Sequence, residues 1–250
     1  MKFVSNTSLM KEGSITPFVC FIFIIVFFSI GCAPLYTPNL VHIPLFSDKN
    51  DADIQLATGT CGYDAQIAYA PINHLGVMIN SSFKNKEVTD TNYFHKHNFV
   101  EGGVGFFGKI NEAGRYECFA GYGNGNAQNY LEGWYGKVDG SYNRFFLQPS
   151  IGAKTDVFEG AFSVRLAYVD MYYLSRNTGY SRSELSAWYF EPVITAKIGY
   201  RFVKFFVQGG LSLPFESTIK YTNSPFILNF GLNLNFSQSY FKKKTQPVIN

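Results

Sequence analysis

The sequence predicts an all-β fold, an up-and-down antiparallel transmembrane β-barrel of about ten strands (8–12). Three observations carry this. Beyond residue 51 there is no 3.6-residue hydrophobic period; segments of apolar/polar alternation follow one another, separated by turn residues. Charged residues are 16% of the chain, against about a quarter in ordinary soluble domains, while aromatics reach 18%, with 26 Phe and 17 Tyr. Finally, the face opposite the apolar one mixes Gly with Glu, Lys and Arg. On a water-facing sheet Gly costs backbone entropy and packs nothing, but inside a narrow barrel it makes room for long neighbours.

The elements follow in order. Lys2 and Lys11 precede an apolar run at 18–30, FVCFIFIIVFFSI, too short for a typical spanning helix and ending in Ser29-Ile30-Gly31-Cys32. Residues 1–31 read as a secretory signal peptide. SIGC resembles the lipobox of bacterial lipoproteins, with Ser29 where an aliphatic residue is usual. The resemblance implies cleavage before Cys32 and a diacylglycerol on its thiol; an uncleaved anchor helix is the alternative. Residues 32–51, with three prolines and no period, are expected to be an extended periplasmic linker.

Strands are expected near 52–58, 62–70, 74–83, 97–108, 115–122, 141–153, 158–173, 188–200, 205–213 and 226–236, so that the barrel covers 52–237. Apart from the first, the odd-numbered connections are expected to be long and polar, the longest being GNGNAQNYLEGWYGKVDG, and the even-numbered ones short. Small outer-membrane barrels show that asymmetry. Residues 238–250 form a polar tail containing Lys242, Lys243 and Lys244. Of the other cysteines, Cys61 falls in a tight turn and Cys118 on a strand several hairpins away, a topology that does not favour a disulfide between them.

In FILNFGLNLNF, residues 226–236, the period of two puts Phe226, Leu228, Phe230, Leu232, Leu234 and Phe236 on one face and Asn229, Asn233 and Asn235 on the other. If the apolar face meets lipid, Glu101, Arg165, Glu191, Lys197 and Arg201 fall in the lumen, where they must pair with one another or meet water. Aromatic residues near strand ends, Tyr63, Tyr69, Trp188 and Tyr200 among them, fit membrane interfaces.

With these features in place, the chain resembles the small outer-membrane β-barrel proteins of Gram-negative bacteria in a lipoprotein-anchored form. That resemblance implies residence in the outer membrane, a covalent lipid on Cys32, insertion into the bilayer and handling by the barrel-assembly machinery. Related barrels have many activities, so the resemblance does not choose one. The expected role is structural, surface-interacting or that of a narrow conduit. Two other readings stay open: a hydrolase at the outer rim, drawing on His97, Asp90, Ser181 and Glu184, and a lipocalin-like binding lipoprotein.

His95 and His97 are a weak metal signal, since spacing fixes no third ligand, and their bland reading is a solvated loop. Tyr130, Trp134, Tyr135 and Tyr180 are expected to pack loop bases over the barrel mouth. No nucleophile elbow, phosphate loop or zinc-protease motif occurs, so neither a cofactor nor a metal is expected. The net charge of +3, with basic residues scattered, argues against nucleic acid as a partner.

Overall fold

The computed structural model describes residues 34–88, 93–131, 136–176, 179–180, 185–216 and 221–240. Residues 1–31, expected to be a signal peptide, lie outside them, as do Cys32, Asp90, Trp134, Tyr135, Ser181, Glu184 and the three tail lysines. The chain forms strands β1 (Ala52–Gly59), β2 (Gly62–Ile72), β3 (Leu75–Val88), β4 (Tyr93–Lys109), β5 (Gly114–Leu131), β6 (Gly136–Lys154) and β7 (Phe158–Arg176). After these come β8 (Gly179–Tyr180), β9 (Leu185–Tyr200), β10 (Val203–Leu211), β11 (Leu213–Pro214) and β12 (Phe226–Phe236). The two-residue β8 and β11 are additions to β7 and β9. The other ten strands close an antiparallel ring in chain order, β7 pairing with β9 and β12 returning to β1 with Ala52 opposite Phe236 and Gly59 opposite Asn229. Closure pairs each of the ten strands on both sides around the ring, and β3 runs past the end of β2 beyond Phe83.

The alternation is inside out relative to a soluble protein. On β12, Leu228, Phe230, Leu232 and Phe236 are exposed, whereas Asn229, Asn233 and Asn235 are buried. On β9, Ile194, Ile198 and Tyr200 point outward and Glu191, Thr195 and Lys197 inward. Inward glycines on β5 let rings lie flat across the wall: a Cβ on Gly121 would stand 2.2 Å from the Gly102 carbonyl oxygen and 2.5 Å from Phe146.

One rim carries the tight connections 73–74, 110–113, 155–157 and 201–202, together with the end of β12. Two of these turns bend through His74 and Arg201 at positive φ, 67° and 46°. At the other rim the structure departs from expectation. The long connection foreseen over residues 123–140 is mostly strand, with β5 continuing to Leu131 and β6 starting at Gly136, paired throughout. Likewise β3 and β4 extend to Val88 and Tyr93 through what reads as a polar loop. In these extensions Asn124, Asn126 and Gln128 point outward while Gly125, Ala127 and Asn129 point inward. With no apolar face, the segment has a strand's geometry but not its hydrophobic signature.

The larger difference concerns residues 34–51. They are extended and irregular as expected, but they run inside the barrel, with 35–47 buried throughout. Their side chains enter four apolar clusters of the interior. Leu35 and Tyr36 pack with Phe99 and Tyr142; Val41, Ile43 and Leu45 with Val193 and Ile227; Phe46 with Phe107, Phe119 and Phe146; and Leu40 with Phe206.

Candidate functional site in the barrel lumen

A chain threaded through a barrel has no ladder to bond with, yet its buried amides and carbonyls need partners. Prolines at 34, 38 and 44 reduce the need by removing donors. Side chains from the wall meet the rest. Leu40 donates to Asp64 (3.3 Å) and its carbonyl accepts from Gln66 (2.7 Å). Val41 exchanges both its groups with the amide of Gln208, each at 2.9 Å. The carbonyls of His42, Ile43 and Leu45 accept from Gln148, Lys197 and Lys154 at 2.7, 3.0 and 3.2 Å. Leu45 takes a positive φ of 49° and is fixed from its other side by Glu117, which accepts its N–H at 3.0 Å. The inward amides and charges of the strands are thus the backbone partners of the plug.

Two ionic clusters lie along this path. Toward the long-strand rim, Glu101 pairs with Arg144 and Glu191 with Arg165 (2.6 Å), and Arg165 also reaches Glu101 at 4.0 Å. Two residues of the plug join them. Asn39 donates to Glu101 at 2.9 Å and accepts from Arg144 and Arg165 at 2.6 and 2.8 Å. The Tyr36 hydroxyl donates to Glu191 at 2.9 Å and accepts from Arg144 at 3.2 Å. Arg144 also stacks over Phe99, 4.2 Å from the ring centroid.

Toward the tight-turn rim, Lys204 donates to Glu159 at 2.7 Å, and Lys197 lies 3.5 Å from Glu159 and 3.8 Å from Asp53. Asp53 accepts from Asn233 and Asn235 at 2.8 Å each and meets the His42 ring at 3.0 Å. The Tyr240 hydroxyl accepts from Lys204 at 3.2 Å. Burial, then the Glu159 carboxylate, raises the Tyr240 phenol above its ordinary range, so it meets the ammonium as a neutral acceptor. Each cluster balances its own charges, which limits the desolvation penalty of holding ions out of water.

Of the five residues singled out from sequence, Glu101, Arg165, Glu191 and Lys197 stand in these clusters. Arg201 does not: it occupies the turn after β9 and pairs with exposed Asp156 at 3.2 Å. Positive φ at a tight turn had taken it out of the strand's parity. Arg144, Lys154, Glu159, Lys204, Asp53 and Glu117 were missed, although each shares the inward parity of its strand and that signal alone finds them. Tyr36 and Asn39 carry no such signal, because the plug has no period.

His95 and His97 also face the interior, from β4, rather than a solvated loop. Asn129 bonds His95 Nδ1, His95 Nε2 meets His97 Nδ1 at 2.9 Å, and His97 Nε2 meets Ser82 Oγ at 3.3 Å. All four ring nitrogens are engaged and none of these residues is more than 3% exposed, so the row is sealed from solvent. Cys61 is buried and Cys118 lies on the wall, both as free thiols.

No family model matches the chain, and no curated protein matches it. Fold and lumen together define a closed ten-stranded up-and-down barrel, apolar outside and ionic inside, with residues 34–51 running through its interior.

Proposed function

We propose that the protein is an outer-membrane β-barrel lipoprotein, anchored by a lipid on Cys32, inserted by the barrel-assembly machinery and acting as a structural or surface-interaction element. The observation that carries this reading is the outward belt. Ile79, Ile194, Ile198 and Phe205 are 64–66% exposed, an arrangement that suits a hydrocarbon medium and not water. Rings border the belt toward the long-strand rim, in the pairs Tyr63–Phe83 (5.4 Å), Tyr122–Phe145 (5.0 Å) and Tyr168–Trp188 (5.1 Å). Tyr69, Tyr116 and Tyr200 border it on the other side.

Above the belt the tall wall of β4–β7 turns polar. Tyr122 donates to Asn143 at 2.6 Å, Asn124 donates to Asn143 at 3.0 Å and to the Tyr172 hydroxyl at 3.2 Å, and Ser141 donates to Asn126 at 2.8 Å. This neutral amide-and-tyrosine ladder is the surface a partner outside the membrane would meet. The filled lumen argues against the conduit role, since a conducting path needs a wet channel. Membrane fractionation, followed by gel migration with and without boiling, tests the reading. A carbonate-resistant outer-membrane protein whose mobility changes on heating is expected; a soluble chain with one mobility contradicts it.

A further inference from the structure

The direction of the plug fixes the side from which the N-terminus leaves. At the long-strand rim, Leu35 and Tyr36 donate to the Thr222 carbonyl at 2.8 and 3.2 Å, Ser224 donates to Tyr36 at 2.9 Å, and Asn129 donates to the Pro34 carbonyl at 2.8 Å. At the tight-turn rim, Asn50 donates to Ala70 at 2.6 Å, Lys109 pairs with Asp48 at 3.0 Å, and Asp51 accepts from Gln238 at 2.7 Å. Residues 34–51 therefore cross the barrel once, end to end, before β1 begins, and the polypeptide leaves Pro34 at the rim opposite the C-terminal end of β12.

We propose that the mature N-terminus is threaded through the barrel to the cell surface, so that the lipid on Cys32 inserts into the outer leaflet of the outer membrane. The placement of the lipid rests on the lipoprotein reading above and the exit at the cell surface on the outer-membrane reading; the passage through the barrel rests on the plug alone. Tight turns and both barrel ends on the periplasmic side are the rule for such barrels, which makes the long-strand rim external. Only Ala33 separates Cys32 from Pro34, and two residue steps reach about 7 Å, far short of a return across a hydrocarbon core of about 30 Å. Among the described residues, wall and plug side chains pack against one another along the whole of this passage.

The arrangement also orders assembly. The plug is continuous with β1, and β1 closes the ring against β12, so the segment must lie in place before that seam forms. An acyl chain cannot be drawn afterward through an interior crossed by Arg144, Arg165 and Lys197. The ligand class of the exposed anchor is the acyl region of the outer leaflet, reached from outside.

Introduced thiols test this in intact cells, with the labelled position read by peptide mass spectrometry because a lipid-free chain also carries the Cys32 thiol. Ala33→Cys and Asn250→Cys, each made with Cys61→Ser and Cys118→Ser, are treated with a membrane-impermeant maleimide before and after outer-membrane permeabilisation. Heat-dependent gel migration verifies folding of each variant, and mass spectrometry of the N-terminal peptide reads the lipid. Threading predicts labelling at 33 in intact cells and at 250 only after permeabilisation. A lipid-bearing N-terminus whose residue 33 is labelled only after permeabilisation overturns the threading. Labelling at 33 on a lipid-free chain supports threading and overturns the lipoprotein reading and the lipid's placement.

Discussion

Arg165 holds Asn39 by two hydrogen bonds, Nη1 to Oδ1 at 2.8 Å and Nη2 to the backbone carbonyl at 3.1 Å, while its Nε binds Glu191 at 2.6 Å. A strand is thereby fastened to the threaded segment through a buried ion. Asn39→Ala removes a partner from Glu101, Arg144 and Arg165 at once, and each unsatisfied buried group costs about 1–3 kcal/mol. We expect a clear drop in the urea midpoint of the folded barrel in vesicles. Glu191→Ala should cost about 3–5 kcal/mol, because it removes the carboxylate hydrogen-bonded to the buried Arg165 guanidinium. Arg165→Met combined with Glu191→Leu should lose less than the sum of the two single changes.

Removal of the plug should open the barrel. Deleting residues 35–47 leaves Glu101, Arg144, Glu117 and Lys154 facing an aqueous lumen, where water can solvate them. Planar-bilayer recordings should show stable conductance for the deletion variant and none for the full chain. Conductance by the full chain would show that the plug does not seal the lumen.

Packing at the inward glycines is a separate test. Gly121→Val forces a side chain against the Gly102 carbonyl and the Phe146 ring, and overpacking of this kind costs about 1–3 kcal/mol. Gly209 has instead the outward parity of β10, and a Cβ there meets nothing within 4 Å. Gly209→Ala should therefore lie within about 0.5 kcal/mol of the parent in the same unfolding measurement.

The belt should have a sharp upper edge. Phe205→Lys puts a charge on the outward face, where it costs about 2–4 kcal/mol at the middle of the bilayer. Asn126→Lys lies on the polar wall above the aromatic border and should be nearly neutral. Folding yield into lipid vesicles, followed by the heat-dependent gel shift, separates the two.

The period of two in 226–236 made the barrel and the direction of its faces legible, because β12 shows both faces without interruption. It failed where one physical cue was missing. The ends of β4 to β7 stand clear of the apolar belt and have polar residues on both faces, so Asn124 to Gln128 resemble a loop in composition while pairing as a strand. The plug was illegible for a different reason. Its partners are single inward residues on nine strands, far apart in sequence, and proline signals only that it joins no ladder. The charges of the ionic interior all lie on an inward parity that the strands display, although only Glu101, Arg165, Glu191 and Lys197 were singled out from it, whereas the organising groups, Asn39 and Tyr36, belong to a segment with no parity to read.

Hydrogen exchange of residues 35–47 in the folded, detergent-solubilised protein tests most directly that this segment lies inside the barrel. The amides of Leu40, Val41 and Leu45 are bound to Asp64, Gln208 and Glu117, so the peptide should exchange as slowly as the β5 and β6 strands, over hours. Complete exchange within seconds, as in an external linker, would contradict the account.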